Sequence, residues 1–326
     1  MTAARSVQGD QAARLRSMIV PGHPKAARRA ERPHAPASRS PDRAPMIAIA
    51  SGKGGVGKSL LSVSIAASLS RSRSALLVDA DFGAANADVM LGIAPLRRLD
   101  ECFQHRMAPG HTPAEIAVEV AERLWLVPGV IGSRFRPSDE ERGALISALR
   151  RGADPASAMV VDTPAGVDRA VTDWLAAADC PIIVTTGEPT AMADAYALLK
   201  SLHAEHGPSA ASRVRMIVNQ AEASASGRRA AARCASRITA VADRFLRIRP
   251  AMLGVVPFDR KLRRGVQQQR PAALEPRVGT AGKAIDRIAA AAVKAAGGAQ
   301  LLRSTGDVLQ PGIADRRSFE PSPAAG

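Results

Sequence analysis

Short, continuous apolar runs alternate along this chain with longer stretches of helical period. Met46-Ile47-Ala48-Ile49-Ala50 is the first run, and a glycine-rich loop bounds it. Further runs cover Ser74–Asp79, Leu124–Pro128, Ser157–Asp162, Pro181–Thr186, Val214–Asn219 and Ala251–Val256. Their side chains are apolar throughout instead of alternating, which predicts strands covered on both faces. The intervening segments 58–71, 138–151, 168–178, 190–203 and 227–245 carry helical spacing. Strand-helix alternation of this kind predicts βαβ units and an α/β fold, a mostly parallel sheet flanked by helices. No internal repeat interrupts the pattern.

The two ends read differently. Residues 21–45 crowd Pro, Ala and Arg and hold few large apolar side chains, so they cannot offset the entropy of folding. They are expected to form a flexible, basic linker. Before it, within residues 1–20, lies the island Asp10–Val20, with Ala12, Leu15 and Ile19 at i, i+3, i+7. That spacing predicts a turn or two of amphipathic helix formed on a partner. Past Gly297 the composition returns to Pro, Gly, Ser and Arg. The expected organisation is therefore a folded domain over 46–297 and a fraying tail over 298–326.

Composition narrows the picture further. The 326 residues are 46% hydrophobic but only 3% aromatic, so the core must be built of Ala, Val, Leu and Ile. Surfaces that work by stacking bases on rings are disfavoured. No apolar run reaches 18 residues, and Arg5, Asp10, Arg14 and Arg16 occupy the N-terminus, which speaks against a membrane span or secretory signal. Cys102, Cys180 and Cys234 match no disulfide, zinc or redox spacing, as expected of a cytoplasmic protein. A net charge of +15 leaves nucleic acid, anionic lipid, acidic protein and nucleotide open as partners. A genome biased toward Ala and Arg would give the same charge.

Gly52-Lys53-Gly54-Gly55-Val56-Gly57-Lys58-Ser59 decides among them. It fits G-x-x-x-x-G-K-[ST] and lies between a predicted strand and a predicted helix, the context in which the motif binds nucleotide phosphates. Glycines let successive N–H groups point inward, and the helix N-terminus adds its dipole. Lys58 is the β/γ-phosphate lysine and Ser59 the hydroxyl for Mg²⁺. Asp79 and Asp81 end the second strand, at the carboxyl edge where such sheets bind ligands. Two carboxylates there suit Mg²⁺ placement and orientation of an attacking water. Asp162 ends an apolar strand, the pattern of a carboxylate that holds Mg²⁺ directly or through water.

With Lys53 included, the loop reads K-G-G-x-G-K-[ST] and resembles the deviant Walker A of the MinD and ParA ATPases. The resemblance implies a P-loop NTPase of that type, hydrolysing ATP with Mg²⁺. It implies that Gly54, Gly55, Val56, Gly57, Lys58 and Ser59 cradle the nucleotide. Lys53 would cross an ATP-dependent homodimer to the partner's phosphates. Asp81 would orient the water, with Asp79 supporting it beside Ser59 and Asp162 at the metal. Asn219 falls where that family contacts adenine, and Pro257 with Phe258 where it closes the base pocket. No [NT]-K-x-D guanine reader is present.

Longer stretches are more selective. Asp79–Gly92, Thr185–Lys200 and the Pro257–Pro271 segment are similar to runs of the FlhG (FleN, YlxH) family of flagellar-number ATPases. Asp10-Gln11-Ala12-Ala13-Arg14-Leu15-Arg16 resembles the D-Q-A-x-x-L-R element through which that family activates the GTPase FlhF. Flagellar switch (C-ring) proteins are further partners that the resemblance implies. So is peripheral contact with the inner face of the plasma membrane. Here the chain departs from the family. The membrane-helix candidate around 281–303 is Ala-dominated and interrupted by Gly297-Gly298, so only weak anionic contact is expected unless dimerisation doubles it. The Pro/Arg-rich linker is not assigned by the resemblance. The competing reading is a ParA-type partition ATPase on DNA without sequence specificity. A metal-cluster carrier of the same fold is disfavoured by the unpaired cysteines.

Overall fold

The computed structural model describes residues 44–103, 113–132, 136–153, 157–267 and 279–306, of which 114, 266–267 and 298–306 are described by backbone alone. The Asp10–Arg16 island, the linker up to residue 43, Gln269-Arg270-Pro271 and the tail from residue 307 lie outside the described residues. Ala44 and Pro45, just ahead of the expected boundary, already belong to the folded body. Ala44 is buried, and the Pro45 carbonyl accepts the Met159 N–H at 2.9 Å.

The first half of the chain forms β1 (Met46–Ser51), α1 (Lys58–Leu69), β2 (Ala75–Asp79), β3 (Phe82–Gly83), α2 (Ala87–Leu91), β4 (Val118–Ala121), β5 (Leu124–Val127) and β6 (Val130–Ile131). Then come α3 (Asp139–Gly152), β7 (Ala158–Ala165), α4 (Arg169–Ala177), β8 (Cys180–Thr185) and α5 (Pro189–Ser212). The chain continues through β9 (Arg215–Ala221), α6 (Ala225–Leu246), β10 (Ala251–Pro257), α7 (Arg260–Gln267) and α8 (Thr280–Gly306). Eight strands form one sheet in the order β10-β9-β8-β1-β7-β2-β5-β4, parallel except for β4 against β5. All seven predicted strands are in it.

Alternate residues of β1 divide the core. Met46, Ala48 and Ala50 face the layer that contains α3, α4, α5 and α6. Ile47 and Ile49 face the layer of α1 and α8. This is why the strands had to be apolar on both sides. Few aromatics are needed because Ala-rich helices approach the sheet closely. At Gly254 of β10, a Cβ would lie 2.6 Å from Ile288 Cγ1 of α8, so that helix rests directly on the strand backbone. One buried cation braces the other layer. Arg142 of α3 donates from Nε to Asp173 of α4 at 2.7 Å and pairs with Asp139 at 2.5 Å. A buried guanidinium is tolerated only with such partners.

Three features differ from the sequence expectation. Helix α5 runs past 203 to Ser212, with a kink at Gly207 (φ 78°, ψ 172°) ahead of Pro208. Edge strand β4, the two-stranded sheet β3–β6 and short helices α2 and α7 carry too few apolar positions to show a period. Finally, α8 is not interrupted at Gly297-Gly298: its helical backbone reaches Gly306. Ala281, Ala284, Ile285, Ile288, Ala289, Ala292 and Ala296 are buried in the core. Between residues 281 and 296, the apolar stripe read as part of a membrane-helix candidate is thus committed to packing on α1 and β10. Among the described residues no helix is long and apolar enough to cross a membrane. Ile288→Ala should therefore cost about 2–5 kcal/mol of stability in urea denaturation, the range for a truncated core side chain. A loss under about 0.5 kcal/mol, the surface value, would contradict this packing.

Candidate functional site

The sheet order places β1, β7 and β2 side by side, so their carboxyl ends open on one edge. At that edge β1 gives way to the loop Gly52–Gly57 and then to α1. Gly55 and Gly57 both have φ +85°, a left-handed backbone that favours glycine. The loop is held from two sides. A Cβ at Gly52 would lie 2.1 Å from the Asp194 carbonyl oxygen of α5, and one at Gly57 would lie 2.5 Å from Asn219 Nδ2.

The end of β9 supplies two amide props. Buried Asn219 donates from Nδ2 to the Val56 carbonyl at 2.8 Å, and Gln220 donates from Nε2 to the Gly55 carbonyl at 3.1 Å. In a planar trans peptide the N–H points opposite to its carbonyl. Tying back these two carbonyls turns the Val56 and Gly57 N–H groups away from β9. The adjoining α1 N-terminus has no side-chain cap at Gly57 and no acid in its first turn. Its positive end is therefore fitted for an anion from outside the chain.

Lys58 opens α1 and is buried. Its Nζ lies 2.7 Å from Asp162 Oδ1 and 3.3 Å from Ser59 Oγ. Ser62, one turn on, donates to the same Asp162 oxygen at 2.9 Å. Asp162 stands opposite Asp79 in the β2–β7 register. Asp79 is fully buried, and its carboxylate accepts the N–H of Asp81 at 3.2 Å and those of Asn86 and Ala87 at 3.0 Å. Burial, and then repulsion from Asp162, push its pKa up to about 7 despite those hydrogen bonds and Lys58. Asp81 is half-buried and accepts the Ala84 N–H at 2.9 Å.

The structure thus gathers Lys58, Ser59, Asp79 and Asp162 around one loop, with Asp81 two residues beyond Asp79. Lys53 is turned elsewhere. Its Nζ reaches Glu188 Oε2 at 3.2 Å and Thr190 Oγ1 at 2.9 Å, at the N-terminus of α5. Asn219, expected at the base, spends an amide hydrogen on the loop. Pro257 is buried and Phe258 is 43% exposed, and the Phe258 N–H bonds the Ala221 carbonyl at 2.8 Å, just past the two props. Sequence reasoning missed Gln220, Ser62, Glu188 and Thr190. Only the adjacency of Gln220 to Asn219, and the position of Glu188 and Thr190 in the Thr185–Lys200 run, hinted at them.

The donor set suits a phosphate-bound hard cation. Ser59 offers a hydroxyl and Asp162 a carboxylate, and among the described residues no group of three or more His, Cys, Asp or Glu would hold a metal alone. A site with few protein oxygens, completed by phosphate and water, is the habit of Mg²⁺.

A glycine cradle with a buried lysine, a serine hydroxyl and strand-end carboxylates defines a P-loop nucleotide-binding protein with a second lysine in its loop. Residues 47–272 match the CobQ/CobB/MinD/ParA nucleotide-binding domain. The chain is 36% identical over 237 residues to the antiactivator FleN of Pseudomonas aeruginosa, covering 69% of this chain and 78% of that one. It is 38% identical over 157 residues to the flagellum site-determining protein YlxH of Helicobacter pylori, spanning 47% of this chain and 52% of that relative. The structure of MinD from Pyrococcus horikoshii, solved with Mg-ADP, superposes with a TM-score of 0.56 at 21% identity, covering 76% of this chain and 94% of that one. The chain belongs to the MinD/ParA nucleotide-binding family and, within it, to the FlhG/FleN/YlxH group of flagellar-number regulators.

The raised Asp79 pKa makes a signed prediction for the nucleotide-free protein. A carboxyl whose folded pKa lies near 7, above an unfolded value near 4, binds more protons folded than unfolded between those limits. Its contribution is full below about pH 4 and is lost as pH rises toward about 7. The urea stability of the parent relative to Asp79→Asn should therefore decline from pH 5 to pH 7 and level off above. A difference that is flat or grows over that range would contradict the assignment.

Proposed function

We propose that this chain is a Mg²⁺-dependent ATPase that pairs face to face on ATP and acts as a switch setting flagellar number or placement. The observation that carries the reading is the division of labour between the two loop lysines. Lys58 is buried beside the cradle, whereas Lys53 is turned away from it, a third exposed and held by Glu188 and Thr190 at the start of α5. A second cation with no task in its own cradle suits the phosphates of a facing copy, where it would neutralise transition-state charge as an arginine finger does.

In this reading the N–H groups of Val56, Gly57 and the first turn of α1 bind phosphate oxygens, and Lys58 joins them. Asp162, Ser59 and the Asp79 carboxylate beside them would hold a Mg²⁺ ion, which would supply positive charge to the phosphate oxygens. Asp81 orients the water that attacks the γ-phosphorus, and the bond to the ADP oxygen breaks. Pro257 and Phe258 flank the base, beside Asn219. The Mg-ADP complex of the Pyrococcus horikoshii protein and the name of the family domain support nucleotide and metal as ligands. The FleN and YlxH relatives support the flagellar role. Asp10–Arg16, outside the described residues, is assigned to activation of an FlhF-type GTPase. Switch-complex proteins are further partners. The protein is assigned to the cytoplasm, with any peripheral contact to an anionic membrane resting mainly on charge, since the stripe over 281–296 is buried in the core.

Lys53→Ala should retain nucleotide binding but lose ATP-dependent dimerisation and hydrolysis. Sedimentation velocity with ATP checks this, and an unchanged dimer would overturn the reading of Lys53. Asp81→Ala should lower kcat with little change in ATP affinity and should trap the ATP-bound dimer, because orienting water is a transition-state task. Hydrolysis at the parent rate would show the wrong carboxylate had been chosen.

A further inference from the structure

Asn86-Ala87-Asp88 belongs to the run shared with the flagellar-number family, yet the ATP machinery leaves Asp88 without a task. The structure gives it one. Asp88 lies in α2 with its side chain only 5% exposed, and Arg98 Nη2 donates to its Oδ2 at 2.7 Å. The other arm of the same guanidinium, Nη1, donates to the Gly129 carbonyl at 2.9 Å. The Leu99 N–H bonds the Pro128 carbonyl at 2.9 Å, fixing the backbone next to Arg98 to the same turn. One side chain thus ties α2 to the turn between β5 and β6.

Those two elements are the flanks of the loop that carries Asp81. On the α2 side, the loop closes where Asp79 accepts the N–H groups of Asn86 and Ala87. On the other side, the Asp81 carbonyl accepts the Val130 N–H at 3.1 Å and the Gly83 carbonyl accepts the Gly132 N–H at 3.1 Å. Gly129 is pressed between them: a Cβ there would lie 2.7 Å from Ala85 Cβ and 2.9 Å from Asp79 Cγ. Within this loop the Asp81 side chain is restrained by the Ala84 N–H.

We propose that Arg98, anchored by Asp88, is a positioning residue for Asp81: it clamps both flanks of the loop so that the carboxylate keeps its aim. The inference rests on the reading of Asp81 as the group that orients the attacking water. A planar fork bridging a carboxylate and a carbonyl in two directions is a task for arginine that a point charge cannot share. Misplacement of a catalytic group by about 1 Å costs up to about a hundredfold in rate, so partial release of the loop should cost about tenfold.

The test uses the full chain with the double substitution Asp88→Asn/Arg98→Gln, which removes both charges and leaves no buried carboxylate unpaired. Fluorescent ADP binding reports that the cradle is intact. Steady-state ATP hydrolysis should show kcat lowered about tenfold with KM changed less than about twofold. In an Asp81→Ala background the same double substitution should lower kcat no further, because the group it positions is gone. An equal loss in both backgrounds would overturn the clamp's role and leave the assignment of Asp81 standing. So would a raised KM at unchanged kcat. A parent rate in Asp81→Ala alone would overturn the assignment of Asp81, and the positioning role with it.

Discussion

Two buried carboxylates, Asp79 and Asp162, stand opposite each other on neighbouring parallel strands, and the arrangement of the site follows from how their charge is met. Like charges in a dry edge repel, and burial opposes ionisation further. Asp162 is met by Lys58 and Ser62 from α1. Asp79 is met by three backbone N–H groups of the following loop and still titrates near 7. The same contacts that settle the carboxylates therefore fix the phosphate loop to β7 and the Asp81 loop to β2. An added divalent cation is favoured at such an edge for the same electrostatic reason.

The rest of the fold holds this edge steady at low cost in side-chain volume. Strands β7, β1 and β8 are adjacent, so the loop after β1 lies in the centre of the sheet with a neighbour on each side. Asn219 and Gln220, at the end of β9, brace the loop carbonyls from one side, and Asp194 of α5 closes on Gly52 from another. Small residues make these approaches possible. Gly254 lets α8 rest on β10, and Gly129 lets the β5–β6 turn lie against Asp79. An aromatic-poor, Ala-rich chain suits this close layering, in which α1 and α8 share one face of the sheet.

Much of this was legible in the sequence, for a physical reason. Strands buried on both faces leave unbroken apolar runs, and glycines with φ near +85° leave a spaced motif, so the central sheet and Gly52–Ser59 could be read directly. The strand-end carboxylates followed from the runs that precede them. What escaped is what depends on packing between distant segments. That Asn219 would prop the loop, that Lys53 would lie on Glu188 and Thr190, and that Arg98 would bridge Asp88 to Gly129 are consequences of tertiary placement with no periodic signal. The stripe on α8 shows the converse limit. An amphipathic helix has the same spacing whether its apolar face meets a membrane or a sheet, and only the sheet opposite decides.

The central claim is that the site is completed by Lys53 of a second copy. It is tested most directly by mixing two inactive chains. Lys53→Ala keeps its own cradle but lacks the lysine it would offer a partner, and Lys58→Ala keeps Lys53 but has lost its own phosphate lysine. If Lys53 acts across the pair, ATP hydrolysis should reappear on mixing, rising with the concentration of the Lys58→Ala chain. An assembled mixture that remains as inactive as either chain alone would contradict a site shared between two copies.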